Sequence, residues 1–316
     1  MNRPHLILAV CVLLLASPDP AAADALPQVQ SGRIERLTDF EPSLVPPRPI
    51  DVWLPDGYPA DGPYAVLYMH DGQMLFDAST TWNQQEWRVD EVAGALIAAG
   101  KVRPFIVVGI GNAGDARHSE YFPQKPFEAL DADQQATLLA LEREPGKPLF
   151  ARGTAADTYL RFVVEELKPA IDARFRTHRG PEHTMIMGSS MGGLISLYAL
   201  AEYPQVFGAA ACLSTHWPGI FPQDRNPVPD AFIDYISGTL PGPGAHRIYF
   251  DHGTATLDAA YPPLQQRVDA VMRRKGYDDS NWTTRVFEGA EHSEAAWSAR
   301  LAEPLQFLLA DPPGSR

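Results

Sequence analysis

Cysteine is scarce. The 316-residue chain has two, Cys11 and Cys212, too few for a thiolate-rich zinc or iron–sulfur site. Long apolar runs are missing too: the stretch Leu6–Ala16 is too short to span a bilayer of roughly 30 Å as a helix. Positive charge is in deficit, with 26 basic against 39 acidic residues and a net charge of −13. That balance argues against nucleic acid or an anionic membrane as the main partner. No repeat or low-complexity block interrupts the sequence after residue 25.

What the chain does have begins at its start. Asn2, Arg3 and His5 precede the apolar stretch, and Ser17-Pro18-Asp19-Pro20 leads into Ala21-Ala22-Ala23-Asp24-Ala25. A weakly basic start, a short apolar core and small residues at an A-x-A site predict a secretory signal peptide over residues 1–25, cut after Ala23 or Ala25. The protein is then exported, periplasmic or secreted, with no membrane span after cleavage. Removal of Cys11 leaves Cys212 as the only thiol, so no internal disulfide can form. Residues 26–316 fit one large α/β domain, big enough to fold without disulfides. Cys212, within Ala209–Leu213, reads as a small buried core residue.

Short apolar runs alternate with longer amphipathic ones, the pattern of strands alternating with helices. Strands are predicted at Arg33–Thr38, Ile50–Leu54, Ala65–His70, Phe105–Ile110, His183–Gly188, Ala209–Ser214, Arg247–Asp251 and Thr283–Phe287. Runs such as Phe105-Ile106-Val107-Val108 are apolar throughout, as parallel strands covered on both faces must be. Helical periodicity marks Trp87–Ala99, Thr158–Arg174 (kinked or divided near Pro169), Met191–Glu202, Leu264–Lys275 and Glu294–Leu309. The expected fold is a mostly parallel sheet of about eight strands with helices on both faces. Two proline-bearing excursions, residues 121–152 with a short helix over Asp133–Arg143 and 216–245 around an apolar segment at Ala231–Ile236, read as loops or small caps.

Gly188-Ser189-Ser190-Met191-Gly192 lies between a predicted strand and a predicted helix. A serine there sits on a sharp turn at the sheet edge, where the helix N-terminus favours developing negative charge. This arrangement resembles the nucleophile elbow of α/β hydrolases. Ser190 is favoured over Ser189 because glycine stands at both −2 and +2. In that fold the acid and then the histidine follow the serine. Of the later histidines, His292 lies in the loop between the last strand and the last helix, where the base is presented. Asp258 and Asp251 both compete for the acid, with Asp258 in the freer loop position. The oxyanion hole needs two backbone donors: the N–H of Met191, and that of Gln73 or, second, Met74 after the strand Val66–His70. Asp71 is a candidate to line the pocket. Trp82, Trp87, Arg117, Tyr121 and Trp217 are candidates for stacking or anion contacts with substrate.

Tyr68-Met69-His70-Asp71-Gly72-Gln73-Met74-Leu75-Phe76-Asp77, Val107-Val108-Gly109-Ile110-Gly111-Asn112 and Arg117-His118-Ser119-Glu120-Tyr121-Phe122-Pro123 resemble the esterase branch of α/β hydrolases. So do Tyr249-Phe250-Asp251-His252-Gly253-Thr254, Leu257-Asp258 and Gly289-Ala290-Glu291-His292. That branch includes enterochelin-type siderophore esterases, feruloyl and acetylxylan esterases, S-formylglutathione hydrolase and mycolyltransferases. The resemblance runs from about Ile50 to Leu309. It implies a triad of Ser190, Asp258 and His292, with Gln73 at the oxyanion position, and a mechanism that needs no metal or organic cofactor. The substrate is then a small-molecule or carbohydrate-linked ester, an enterochelin-like siderophore first among them. An acyltransferase using the same triad and a catalytically silent binding protein are the other readings. Oligomeric state is open.

Overall fold

The computed structural model describes residues 25–60, 62–221, 223 and 225–310. The predicted signal peptide, but for its last residue, Ala25, lies outside them. No helix among the described residues is long and apolar enough to cross a membrane.

Eight strands form one sheet: β1 (Arg33–Arg36), β2 (Ile50–Leu54), β3 (Ala65–His70), β4 (Phe105–Ile110), β5 (Thr184–Ser189), β6 (Ala209–Leu213), β7 (Arg247–Gly253) and β8 (Trp282–Phe287). Their order across the sheet is β1-β2-β4-β3-β5-β6-β7-β8. Strand β2 is antiparallel to both its neighbours, and every pairing from β4 through β8 is parallel. The architecture is that of an α/β hydrolase. Strands β2 to β6 are buried along their whole length, which is why their sequences are apolar without alternation. Side chains of odd and even parity feed two cores. Val66, Tyr68 and Ile186 meet one set of helices, including Met191–Glu202 and Val228–Thr239. Leu67, Met69 and Met187 meet Val89–Ala98 and the C-terminal helices. Cys212 is fully buried in the first core, and burial pushes its thiol pKa far up.

The helical segment expected over Thr158–Arg174 divides before Pro169. It runs as α-helix over Ala156–Arg161, widens to a π turn over Phe162–Leu167, and resumes as α-helix over Lys168–Arg174. The wide turn accommodates the hydrogen bond that a proline nitrogen cannot give. The C-terminal helix likewise splits at Leu301 into Glu294–Arg300 and Ala302–Leu309. Both excursions hold more structure than loops. The first contains the capped helix Ala132–Leu139 and a small hairpin over 142–148; the second contains the helix Val228–Thr239, which buries Phe232, Ile233 and Ile236.

Candidate active site

The parallel strands all point their C-terminal ends to one edge, and the candidate residues gather there, as ligand sites do in open α/β sheets. Ser190 directly follows β5 and caps the helix Met191–Glu202, with φ 57° and ψ −121°. Such a backbone is strained for any residue with a Cβ. It is held from three sides: the Ser190 N–H donates to the Leu213 carbonyl (2.9 Å), while its own carbonyl accepts from Gly193 (3.0 Å) and His216 (3.2 Å). Gly188 has no freedom to be anything larger, because a Cβ there would lie 2.8 Å from the Gly192 carbonyl carbon. Met191 is the first residue of the helix, a position whose N–H has no intrahelical acceptor.

His292 and Asp258 come together from different loops. His292 Nδ1 and Asp258 Oδ1 are 2.6 Å apart, which leaves Nε2 as the remaining ring nitrogen. The other Asp258 oxygen accepts from Ser214 Oγ and from the Gly253 N–H, both at 2.6 Å. Burial pushes the Asp258 pKa up, but its bonds to His292, Ser214 and Gly253 outweigh that and hold it below the ordinary value. The Trp297 indole packs edge-on against the His292 ring at 5.0 Å and donates to Ser214 Oγ at 2.9 Å. Asp251 is committed elsewhere: it pairs with buried Arg300 through Oδ1 (2.9 Å) and Oδ2 (3.2 Å). Arg300 also donates to Ser214 Oγ at 2.8 Å. With two donors on its oxygen, the Ser214 hydroxyl has one place left for its proton, the Asp258 carboxylate.

On the opposite side, Asp71 adopts a left-handed backbone (φ 56°) that starts the short turn Gly72–Met74. Arg117 binds its carboxylate in a fork, at 2.6 and 2.7 Å, and Asn112 Nδ2 adds a third bond at 2.7 Å. Burial pushes the Asp71 pKa up, yet Arg117 and Asn112 bring it below the usual carboxylate value. Gln73 lies in the same turn, and its side-chain oxygen accepts from the Asn112 N–H at 3.2 Å. The N–H of Met74 is spent on the Asp71 carbonyl at 2.8 Å, which removes Met74 as an alternative oxyanion donor.

Ser190, His292, Asp71, Gln73, Met74 and Arg117 thus line one open cleft of about 500 Å³, together with Trp82, Asn83, Gln85, Asn112 and Glu294. Two of the expected substrate contacts are not in it. Tyr121 is fully buried behind the wall, where its hydroxyl accepts from the Asp71 N–H (3.3 Å) and its ring lies 4.9 Å from the Arg117 guanidinium. Trp217 is corrected in the same way: 1% exposed, it donates to Gln265 at 2.9 Å and packs on Phe250 in the core. Trp87 does line the cleft, although it is only 3% exposed and packs against Trp297. Trp82 differs from all of these, at 84% exposed on the rim.

Sequence reasoning passed over Asn112, Ser214, Arg300 and Trp297. Their roles depend on packing between distant segments, for which no local spacing is a signal; Asn112 alone stood in a quoted motif. Among the described residues no group of three or more His, Cys, Asp or Glu is arranged to hold a metal ion.

Comparison with known proteins is consistent with this geometry. Residues 42–308 match the family described as "Putative esterase". The chain is 27% identical over 198 residues to an endo-1,4-beta-xylanase/feruloyl esterase of Xylanibacter ruminicola, covering 59% of this chain and 22% of that protein. It is 28% identical over 153 residues to a siderophore triacetylfusarinine C esterase of Aspergillus fumigatus, covering 46% of this chain and 42% of that protein. It thus spans less than half the length of either relative. Among solved structures, a ferulic acid esterase of Anaeromyces mucronatus in complex with ferulic acid superposes with a TM-score of 0.60 at 19% identity, over 91% of this chain and 94% of that one. The last likeness is one of fold.

Proposed function

The chain belongs to this esterase family and is a carboxylic ester hydrolase; from that premise we propose that it is an exported serine esterase working through an acyl-enzyme. One observation carries the reading: a serine on a strained elbow shares its cleft with a histidine whose Nδ1 is 2.6 Å from a buried aspartate. Ser190 Oγ attacks the ester carbonyl and gives its proton to His292 Nε2. Asp258 fixes the imidazole and stabilises the imidazolium. The Met191 and Gln73 N–H groups take the oxyanion. The leaving alcohol departs with the proton from His292, and water, deprotonated by His292, attacks the acyl carbon and returns Ser190 to its free form. The leader at the start of the sequence supports action outside the cytoplasm.

The charge of the cleft bears on substrate. Its carboxylate and guanidinium lining side chains are Asp71, Arg117 and Glu294, and Arg117 is forked onto Asp71. The sum is near neutral to slightly negative, which disfavours a multiply anionic ferric catecholate. An exposed tryptophan beside Asn83, Gln85 and Asn112 suits an uncharged sugar, with its apolar face on the indole and its hydroxyls on the amides. A feruloyl or acetyl ester of a carbohydrate therefore fits better than the enterochelin-like siderophore favoured from the sequence.

Ser190→Ala against p-nitrophenyl acetate tests the reaction. Turnover is expected to fall by roughly three to six orders of magnitude, and unchanged turnover of the purified variant refutes the assignment. Trp82→Ala tests the substrate. It should raise KM for a sugar ester by about two- to tenfold and leave p-nitrophenyl acetate alone; equal effects on both esters would remove the platform.

A further inference from the structure

The turn that presents the Gln73 N–H is not held by its own strand alone. Strand β3 pairs with β4 as far as His70 and Ile110, and Asp71 then leaves the ladder with its left-handed backbone. The turn presses onto the end of β4: a Cβ at Gly72 would lie 2.6 Å from the Gly109 carbonyl carbon and 2.7 Å from the Ile110 nitrogen. Just past that end stands Asn112. Its side chain donates to Asp71 Oδ1 at 2.7 Å, and its backbone N–H donates to Gln73 Oε1 at 3.2 Å. One residue thus grips the run Asp71-Gly72-Gln73 at both ends.

The orientation of the Asn112 amide follows from what faces it. Its Oδ1 accepts from the Gly114 N–H at 2.9 Å. The Asp71 carboxylate only accepts, so Nδ2 must be the end that meets it. Arg117 already secures that carboxylate by charge; the bond to Gln73 is Asn112's own. Within a turn opened by Asp71 the first N–H groups have no acceptor of their own, while that of Met74 is taken by the Asp71 carbonyl. The aim of the Gln73 N–H therefore follows the tilt of the turn against β4.

We propose that Asn112 is a positioning residue for the oxyanion hole: by holding Asp71 and Gln73 at once, it sets the tilt of their turn and with it the aim of the Gln73 N–H. This rests on Ser190 being the nucleophile and on the Gln73 N–H being an oxyanion donor. Asn112 acts through those two residues and not on the reacting atoms. An aimed donor matters where charge develops, so its value appears in the transition state and little in the bound ester. Both half-reactions pass through an oxyanion, and both slow together when the turn tilts.

p-Nitrophenyl acetate isolates this role, because it has no hydroxyl for an amide to bind. Asn112→Ala should lower kcat about ten- to hundredfold and leave KM within about twofold. Inhibition by 1,1,1-trifluoroacetone reads the hole directly: Ser190 Oγ bonds to the carbonyl carbon, the carbonyl electron pair becomes the oxyanion, and the serine proton passes to His292. The inhibition constant should rise by about the factor by which kcat falls. Asn112→Asp, assayed at pH 8 where the new carboxyl is charged, keeps Oδ1 for Gly114 but sets a carboxylate against Asp71; it should also lose about tenfold or more. Wild-type kcat in a folded Asn112→Ala overturns the proposal, as does a fall in kcat with an unchanged inhibition constant. Near-full activity in Asn112→Asp overturns it too, since Asn112 would then serve the Gly114 turn alone. Should Asn112→Ala not fold, Asn112→Asp decides on the same terms. Failure of the parent reading is separate: trifluoroacetone would then not inhibit the wild-type protein, or would still bind Ser190→Ala.

Discussion

Asp251 and Asp258 show how little a residue's type says about its task. Both are fully buried; Asp251 lies within β7 and Asp258 in the short turn Thr256–Ala260 that follows it. Asp251 is a counter-ion: burial pushes its pKa up despite Arg300, and the pair sits deep in the fold. Asp258 faces a ring nitrogen in the cleft wall. The two therefore predict opposite phenotypes. Asp258→Asn should lower kcat by about three to four orders of magnitude with the melting temperature nearly kept. Asp251→Asn strands the Arg300 guanidinium without its charge partner and should cost about 3–5 kcal/mol of stability, seen as a lower urea midpoint. If Asp258→Asn melts early and keeps its rate, the roles are exchanged. Ser190 and His292 were readable because the elbow and the last loop are local patterns with fixed chain order. Asp258 was preferred for its freer loop position, but what commits Asp251 elsewhere, Arg300 reaching it from another helix, has no local signal.

At the scale of elements, two close approaches hold the site in register. A Cβ at Gly188 would strike Gly192, and one at Gly253 would lie 2.1 Å from the Ala290 carbonyl oxygen. That carbonyl also accepts from the N–H groups of Thr254 and Ala255, so the His292 loop is laid directly across the end of β7. Gly253→Ala must lift the loop and draw His292 away from Asp258. The expected result is a fall in kcat of at least about tenfold, with activity lost well below the temperature at which circular dichroism reports unfolding; coincident loss of both would make the contact merely structural. Strand positions were legible because both faces of the parallel strands are covered, which writes continuous apolar runs into the sequence. The helix Val228–Thr239 was not, because prolines at 227, 229, 241 and 243 frame a pattern short enough to read as loop. Trp217 and Tyr121 were misplaced for a related reason. An aromatic side chain before or inside such a segment does not declare which way it turns, and both turned inward.

Over the whole molecule, histidine sets the response to acid. Burial lowers the pKa values of His70 and His118 to about 3 and that of His216 to about 4. Folded, these rings stay neutral at pH 5; unfolded, they take up protons below about 6.5. The unfolded chain thus binds more protons, and stability must fall as pH falls from about 6.5 toward 4. Each ring contributes about 1.4 kcal/mol per pH unit once the unfolded form is fully charged. Urea midpoints measured at pH 7, 6 and 5 should decline progressively, and a flat series would contradict the burial of these rings. The thiol of Cys212 has a different use. Cys212 is sealed in the core, and a chain starting at residue 26 carries no other, so maleimide dyes have nothing to attack on the folded surface. One cysteine introduced on the rim near Trp82 would then be the sole attachment point for a fluorophore, and binding at the cleft could be watched from there without first removing native sulfur.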